Sequence, residues 1–271
     1  MKNDFVSVLI VSYNAERYIE KTLDSCLRQT YKDLEVLLLD NDSKDGTFEI
    51  AKTMCLRDSR LKIFRSNENI GPYAGLNVLL SKAGGEYVAI QDHDDVWLSE
   101  KVSKQVEFLK NNNNYIACGT NTFYFYENEE VPILNKKSEI TDFVDHTSLL
   151  FRNNGFRYNI MHSLPDEFLE KKSLSEKGDI FCLQEGLTIH RIKSDGTNLS
   201  ANRFSFTPKY IQDFFSVNRI DFFSFLYLFD QISRKFFPEK VLWFIRKKIT
   251  QRNNHWVSLG EFLRENKKVV L

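Results

Sequence analysis

Residues 6–47 read VSVLIVSYNAERYIEKTLDSCLRQTYKDLEVLLLDNDSKDGT, and the fold follows from how this stretch is punctuated. Val6 to Val11 is an apolar run broken only by Ser7, as expected of a strand covered on both faces. Ile19, Leu23 and Leu27 then recur every fourth residue, which predicts a helix with one buried side. A second apolar run, Leu34 to Leu39, stops abruptly in DNDSKDGT, and Phe48, Ala51 and Cys55 give the next helix its stripe. Strand, helix and strand in this order form a crossover unit, which calls for parallel strands.

Working outward, LKIF (61–64) reads as a third strand, SNENIGPYAG (66–75) as a loop, and Tyr87 to Ile90 as a fourth strand running into QDHDDVW (91–97). The expected class is therefore α/β, with a mostly parallel, Rossmann-like nucleotide-binding sheet flanked by helices. Past Asn111 the pattern loosens. The run NNNN reads as a helix-terminating turn and CGTNTFYFY (118–126) as a strand, while Glu127 to Leu174 shows no dependable period. Phe181 to Arg191 is again extended, and everything after Pro208 reads as helical and aromatic, with RKFFPEKVLWFIRKK (234–248) at its centre. The expected division is a domain over 1–204, with a nucleotide-binding half at 1–110 and an acceptor half at 111–204, followed by a helical appendage at 205–271.

The chain has 271 residues with 37 basic and 37 acidic side chains, so no global charge draws it to nucleic acid, which is not expected as a partner. The balance hides an asymmetry: after Asn202 there is an excess of roughly seven positive charges. The four cysteines, Cys26, Cys55, Cys118 and Cys182, show no CxxC spacing, which argues against a zinc site and a disulfide framework and for reduced thiols in the cytoplasm. FVSVLIVSY at the start is too short to span a bilayer and lacks a basic leader, and IDFFSFLYLF (220–229) falls well below the roughly 20 residues a span needs.

In an open parallel sheet, ligands gather outside the carboxyl ends of the strands. Here those ends are Ser12, Tyr13 and Asn14; Asp40, Asn41 and Asp42; and Asp92, His93, Asp94 and Asp95. For Asp42, Ser43 and Asp45, capping of the next helix explains the residue types as well as ligand binding does. Three carboxylates within four residues at 92–95 are harder to explain that way, since like charges oppose each other's ionisation unless a cation sits among them. Oxygen ligands suit Mg²⁺ or Mn²⁺, whose shell is completed by water and substrate phosphates, so a diphosphate is the natural co-ligand.

These motifs, with NENIGPYAGLN (67–77) and GGEYVAIQDHDDVWLSEKVSKQVEFL (84–109), resemble family 2 glycosyltransferases of the GT-A fold over about the first 110 residues. The resemblance implies an inverting, metal-assisted transfer of sugar from a nucleoside diphosphate sugar (UDP, dTDP or GDP) to a hydroxyl of a glycan or lipid-linked acceptor, in bacterial surface polysaccharide synthesis. It makes Asp92 and Asp94 the DXD pair, with Asp94 facing the metal and Asp92 the ribose or metal. Asp40 and Asn41 then lie where base and ribose are read, although an aspartate is commoner at the second position. Ser12, Tyr13, Asn14 and Asp42 frame the nucleotide pocket. His93, in the middle of the triplet, faces away from the metal in this family and counts with the nucleotide-sugar-binding residues, and Trp97 reads as core.

By the same resemblance the catalytic base is Asp166 or Glu167 in LPDEFLEKK (164–172), with Asp179 and Glu176 as further candidates. EGLTIHRIKSDGTNLS (185–200) matches the family's last motif with Gly186 where proline is usual and His190 where tyrosine is usual. Arg191 and Lys193 fall where the family contacts the diphosphate; a solvated basic strand end explains them equally well. The basic, aromatic tail fits either an interfacial helix on an anionic membrane or a helix packed on protein, so the expected location is cytoplasmic, with the inner membrane face open. A module of the same fold that binds sugar nucleotide or glycan without catalysis is the competing reading.

Overall fold

The computed structural model describes residues 2–127, 133–193 and 208–217. Strands β1 (Lys2–Ser12), β2 (Leu34–Asp40), β3 (Leu61–Arg65) and β4 (Gly85–Asp92) are joined by α1 (Ile19–Leu27), α2 (Thr47–Cys55) and α3 (Pro72–Leu80). They pair in parallel in the order β3-β2-β1-β4, with Val8 opposite Val36 on one side and Ala89 on the other. Leu34 to Asp40 is buried at every position, which is why its sequence shows no alternation. One layer of core, with Ile19, Leu23 and Ala51, fills the space under α1 and α2; the other, with Leu76, Leu79 and Leu80, lies under α3. The SNENIGPYAG stretch is shorter as a loop than its composition implies, because Pro72 is accepted at the start of α3 and Gly71 supplies the φ of +82° that the entry requires.

After the short β5 (Val96–Trp97) and α4 (Lys101–Asn111), the chain adds β6 (Tyr115–Tyr126), β7 (Ile133–Asn135), β8 (Ile140–Thr141), β9 (Leu150–Arg152) and β10 (Asp179–Ile192). The sheet continues β4-β9-β6-β10-β5, with β7 on β6 and β8 on β10. Strand β9 runs antiparallel to both β4 and β6, and β10 is parallel to β6. Two reversals restore direction, so β1, β2, β4, β6 and β10 all end at the same edge. Between β9 and β10 lies α5 (Pro165–Phe168), continued as a π-turned segment, Leu169–Leu174. Its elements are two to six residues long, too short to leave the period that sequence reading needs.

Helix α6 (Pro208–Val217) packs Tyr210, Phe214 and Val217 on Leu164, and Asp213 accepts hydrogen bonds from the Ser163 backbone and hydroxyl. This helix therefore lies against the segment that leads into α5. The aromatic and basic centre at 234–248 is outside the described residues. No helix among the described residues is long and apolar enough to cross a membrane.

Candidate functional site

The ends of β1 and β2 are tied to one another before any ligand is considered. The Asn41 N–H donates to Ser12 O at 2.8 Å, Asn14 N–H to Ser43 Oγ at 3.0 Å, and Lys44 N–H to Asn14 Oδ1 at 2.9 Å. Asn14 and Asp42 take left-handed φ values of 48° and 66°, which asparagine and aspartate tolerate best among residues with side chains. Ser12 is fully buried, whereas Tyr13 is 42% exposed and stands at the rim. Asp45 accepts from the Thr47 and Glu16 backbones and so ties the start of α2 to the turn after β1, while Asp42 faces Lys44 at 2.5 Å.

Asp40 is wholly buried, and neither carboxylate oxygen has a hydrogen-bond partner. Arg65 Nε lies 3.2 Å from Oδ2 without the alignment to donate. Asp40 is thus ion-paired with Arg65 but keeps acceptor capacity for a further donor. Asn41 is different. Its Nδ2 donates to Asn69 Oδ1 at 2.8 Å and its Oδ1 accepts from Ile70 N–H at 3.1 Å, so its amide holds the 69–71 loop rather than facing an open pocket.

The turn after β4 is fixed from below. Thr22 Oγ1 contacts both His93 O and Asp95 O at 3.0 and 2.9 Å, Gln91 Nε2 donates to Asp95 O, and Thr147 Oγ1 donates to Gln91 Oε1. Trp97, 2% exposed, donates Nε1–H to Thr147 O, which makes it core. The crowding of carboxylates is relieved in a way the sequence did not reveal: the protein supplies cations of its own. Asp95 is fully buried, with Oδ1 on the Arg191 N–H and Oδ2 2.8 Å from His190 Nδ1. Asp94 Oδ2 lies 2.7 Å from Lys193 Nζ, and its carbonyl accepts from Arg191 Nε at 3.1 Å.

Burial opposes charge on His190, but the Asp95 carboxylate, with Asp92 and Asp94 beyond it, outweighs burial and lifts its pKa to about 10. Burial drives Asp95 upward as well, while two further carboxylates favour positive charge on the imidazole and the Arg191 N–H favours negative charge on Asp95. Asp92 is the most open of the three, its side chain 39% exposed and one oxygen 3.4 Å from His146 Nδ1. Burial would raise it, but His146 first, then His190 and His93, hold it well below the usual carboxylate range. His146 Nε2 continues to Tyr158 OH at 2.9 Å.

Arg191 and Lys193 are not a solvated strand end: their side chains are 12% and 10% exposed and lie over the Tyr18 ring, whose hydroxyl donates to Glu127. Asp166, half-buried at the start of α5, is close enough to Tyr158 and Glu170 to add to the rise that burial gives both. Glu167 is 5% exposed and committed to Lys171 at 2.9 Å. Glu176 and Asp179 are exposed, and Asp179 begins β10 at the edge opposite Asp92.

Asp92, Asp95 and His190 each bring a ligand-capable atom to within 4.8 Å of the others. Both Asp95 oxygens and His190 Nδ1 are already engaged, Asp94 Oδ2 faces Lys193, and Asp92 is the carboxylate of the three most open to a further ligand. Thr22, Gln91, His146, Thr147 and His190 were not identified as site residues by sequence reading. Only His190 left a signal, a histidine at a strand end within a recognised motif.

Residues 7–171 match the family model described as glycosyl transferase family 2. The chain belongs to that family. An uncharacterized glycosyltransferase of Haemophilus influenzae is 32% identical over 161 residues, which cover 59% of this family 2 chain and 62% of that protein. The UDP-Glc:alpha-D-GlcNAc-diphosphoundecaprenol beta-1,3-glucosyltransferase WfgD of Escherichia coli is 26% identical over 75% of this chain and 83% of its own length. The chain spans less than two thirds of the length of the first curated relatives it matches. Among solved structures, the mannosyltransferase PcManGT of Pyrobaculum calidifontis, in complex with GDP-Man and Mn²⁺, aligns with a TM-score of 0.63 at 18% identity, covering 78% of this chain and 63% of that one. The likeness establishes a GT-A fold.

Proposed function

We propose that this family 2 chain transfers a sugar, with inversion, from a nucleoside diphosphate sugar to a hydroxyl of a lipid-linked glycan during assembly of a bacterial surface polysaccharide. The observation that carries this reading is the common strand edge at which the unsatisfied, fully buried Asp40 and the Asp92–Asp95 turn meet. Asp40 accepts from the nucleobase, and Ser12, Tyr13, Asn14 and Asp42 frame that pocket. Asn41 acts on it through the 69–71 loop.

Asp92 and Asp94 would hold Mn²⁺ or Mg²⁺, which would neutralise the charge on the departing diphosphate. His93 is a turn residue whose carbonyl is anchored by Thr22. Arg191 and Lys193 stabilise the diphosphate side with fixed positive charge. Asp166 takes the proton from the acceptor hydroxyl; Glu167, neutralised by Lys171, positions α5 instead. An acceptor carried on diphosphoundecaprenol, as WfgD's name records for that protein, supports a lipid-linked acceptor here. Residues 1–204 form the transferase domain in this reading, the helix at 208–217 packs on it, and the basic, aromatic remainder of 205–271 meets either the inner membrane face or protein.

The test is a thermal-shift panel of UDP-, GDP- and dTDP-sugars with and without Mn²⁺, followed by transfer to an undecaprenyl-diphosphate-linked sugar. A donor at 100 times its Kd stabilises by about 2.7 kcal/mol. Stabilisation with no transfer or hydrolysis for any acceptor would favour the non-catalytic module, and no stabilisation by any sugar nucleotide would defeat the proposal.

A further inference from the structure

Tyr158 carries a buried hydroxyl with one neighbour. The residue is 3% exposed, its OH lies 2.9 Å from His146 Nε2, and that hydroxyl has no second hydrogen-bond partner among the described residues. If Nε2–H donated to the phenol oxygen, the phenol proton would be buried without an acceptor, a cost that the reverse arrangement avoids. Burial also keeps the phenol protonated, since it raises the Tyr158 pKa well above its ordinary value. The hydroxyl therefore donates, Nε2 is bare, and the imidazole carries its proton on Nδ1.

That second nitrogen faces the acidic turn. Nδ1 is 3.4 Å from Asp92 Oδ1, longer than an ordinary hydrogen bond and able to tighten once a donor closes the site. The tyrosine is itself held from α3. Asn77 Nδ2 donates to Tyr158 O at 2.9 Å, and Asn77 Oδ1 accepts from Tyr158 N–H at 2.8 Å. Tyr73, one turn earlier on the same helix, sets its ring 5.2 Å from that of Tyr158 and 6.1 Å from that of His146. One helix thus fixes the backbone of Tyr158 and flanks both rings, and the imidazole is kept from turning over.

We propose that Tyr158, anchored by Asn77, is a positioning residue: it keeps the His146 ring with Nδ1–H toward Asp92 Oδ1 and so leaves Asp92 Oδ2 as the oxygen presented to the donor's ion. The inference rests on the metal-assisted reading above for what Asp92 binds, whereas the orientation of His146 is a property of the protein alone. A partner of this kind acts by aiming a ligand that it never replaces.

The full chain, labelled with ¹⁵N-histidine and kept free of metal at mildly alkaline pH, where an ordinary imidazole is neutral, reports the proton's place by long-range ¹H–¹⁵N correlation. His146→Asn identifies the signal. Wild type is expected to show Nδ1 protonated and Nε2 bare. Tyr158→Phe keeps the ring but removes the donor, so the proton should redistribute toward Nε2. In the same variant Mn²⁺ binding with UDP, read by loss of the free-ion EPR signal, should weaken about tenfold or more at a nearly unchanged melting temperature. If Tyr158→Phe fails to fold, the wild-type spectrum still decides. A wild-type proton on Nε2, or the same tautomer in Tyr158→Phe as in wild type, overturns the proposal. A changed tautomer with unchanged Mn²⁺ binding overturns the link to Asp92. The expected tautomer in a wild type that binds no Mn²⁺ even with UDP upholds the role of Tyr158 and overturns the metal-assisted reading instead.

Discussion

Residues 2–111 and residues 115–193 both deliver charged groups to one edge of the sheet, but they do so by different means. In the first half each group follows its own strand: Asp40 ends β2, Asp92 ends β4, and the crossovers that place those ends are local in sequence. In the second half the groups become meaningful only on contact with the first, as His190 does with Asp95 across 95 positions and Lys193 with Asp94. The first half thus supplies anions by topology, and the second supplies the cations that make such a density of anions tolerable. Removing a group from the first half should remove chemistry; changing the fit of the second should move stability and coupling.

The largest effect is expected at the acidic turn. Asp94→Asn should lower kcat/KM by about 10² to 10³, the range seen when one stabiliser of developing charge is removed, and should also lower the melting temperature because it weakens the nearly buried pair with Lys193. Wild-type turnover in this variant, or undiminished turnover in EDTA, would remove the metal from the mechanism. Next comes α5, where adjacent carboxylates divide the two behaviours between them. Asp166→Asn should lower kcat by about 10² to 10⁴ while leaving donor binding intact. Glu167→Gln, which weakens a buried pair with Lys171, should instead cost about 1–3 kcal/mol of stability. The reverse pattern would move the base to Glu167.

Packing around glycines gives a smaller and purely structural contrast. A Cβ on Gly119 in β6 would come within 2.4 Å of Val144 Cγ1, with two more Val144 atoms under 3 Å, so Gly119→Ala should cost about 1–3 kcal/mol, read as a lower melting temperature. At Gly75 in α3 the nearest atoms are the Val11 methyls at 2.9 and 3.0 Å, and a helix gains from alanine, so Gly75→Ala should come out closer to neutral. Equal losses at both positions would mean that the halves tolerate overpacking alike.

The last contrast is a slope with pH. Lys101 is fully buried, its ammonium 3.8 Å from the centre of the Trp97 ring and bonded to Gln105, and burial lowers its pKa to about 7. Between that value and its ordinary value near 10.4, the unfolded chain binds more protons than the folded one, so stability should rise with pH through this window, by at most about 1.4 kcal/mol per pH unit. Lys101→Met should remove that contribution whatever it does to the absolute stability at pH 7. A wild-type profile no steeper than that of the variant from pH 7 to 9 would show that Lys101 stays charged in the folded protein.

The sequence by itself determined the strand-helix alternation of residues 6–109, because buried parallel strands are continuous apolar runs and their helices repeat every three to four residues. It also placed Asp40, Asp92 and Asp94 at strand ends, since polar residues that stop an apolar run mark where a strand leaves the core. What only the tertiary structure decided is how those carboxylates are answered. His190 lies on a strand that reaches the edge after two reversals through β9, Lys193 follows directly after that strand's end, and Asn41 turned out to hold a loop with both ends of its amide. Sequence period reports which face of an element is buried; it carries no record of which distant side chain a charge will meet, because that is set by sheet order and register.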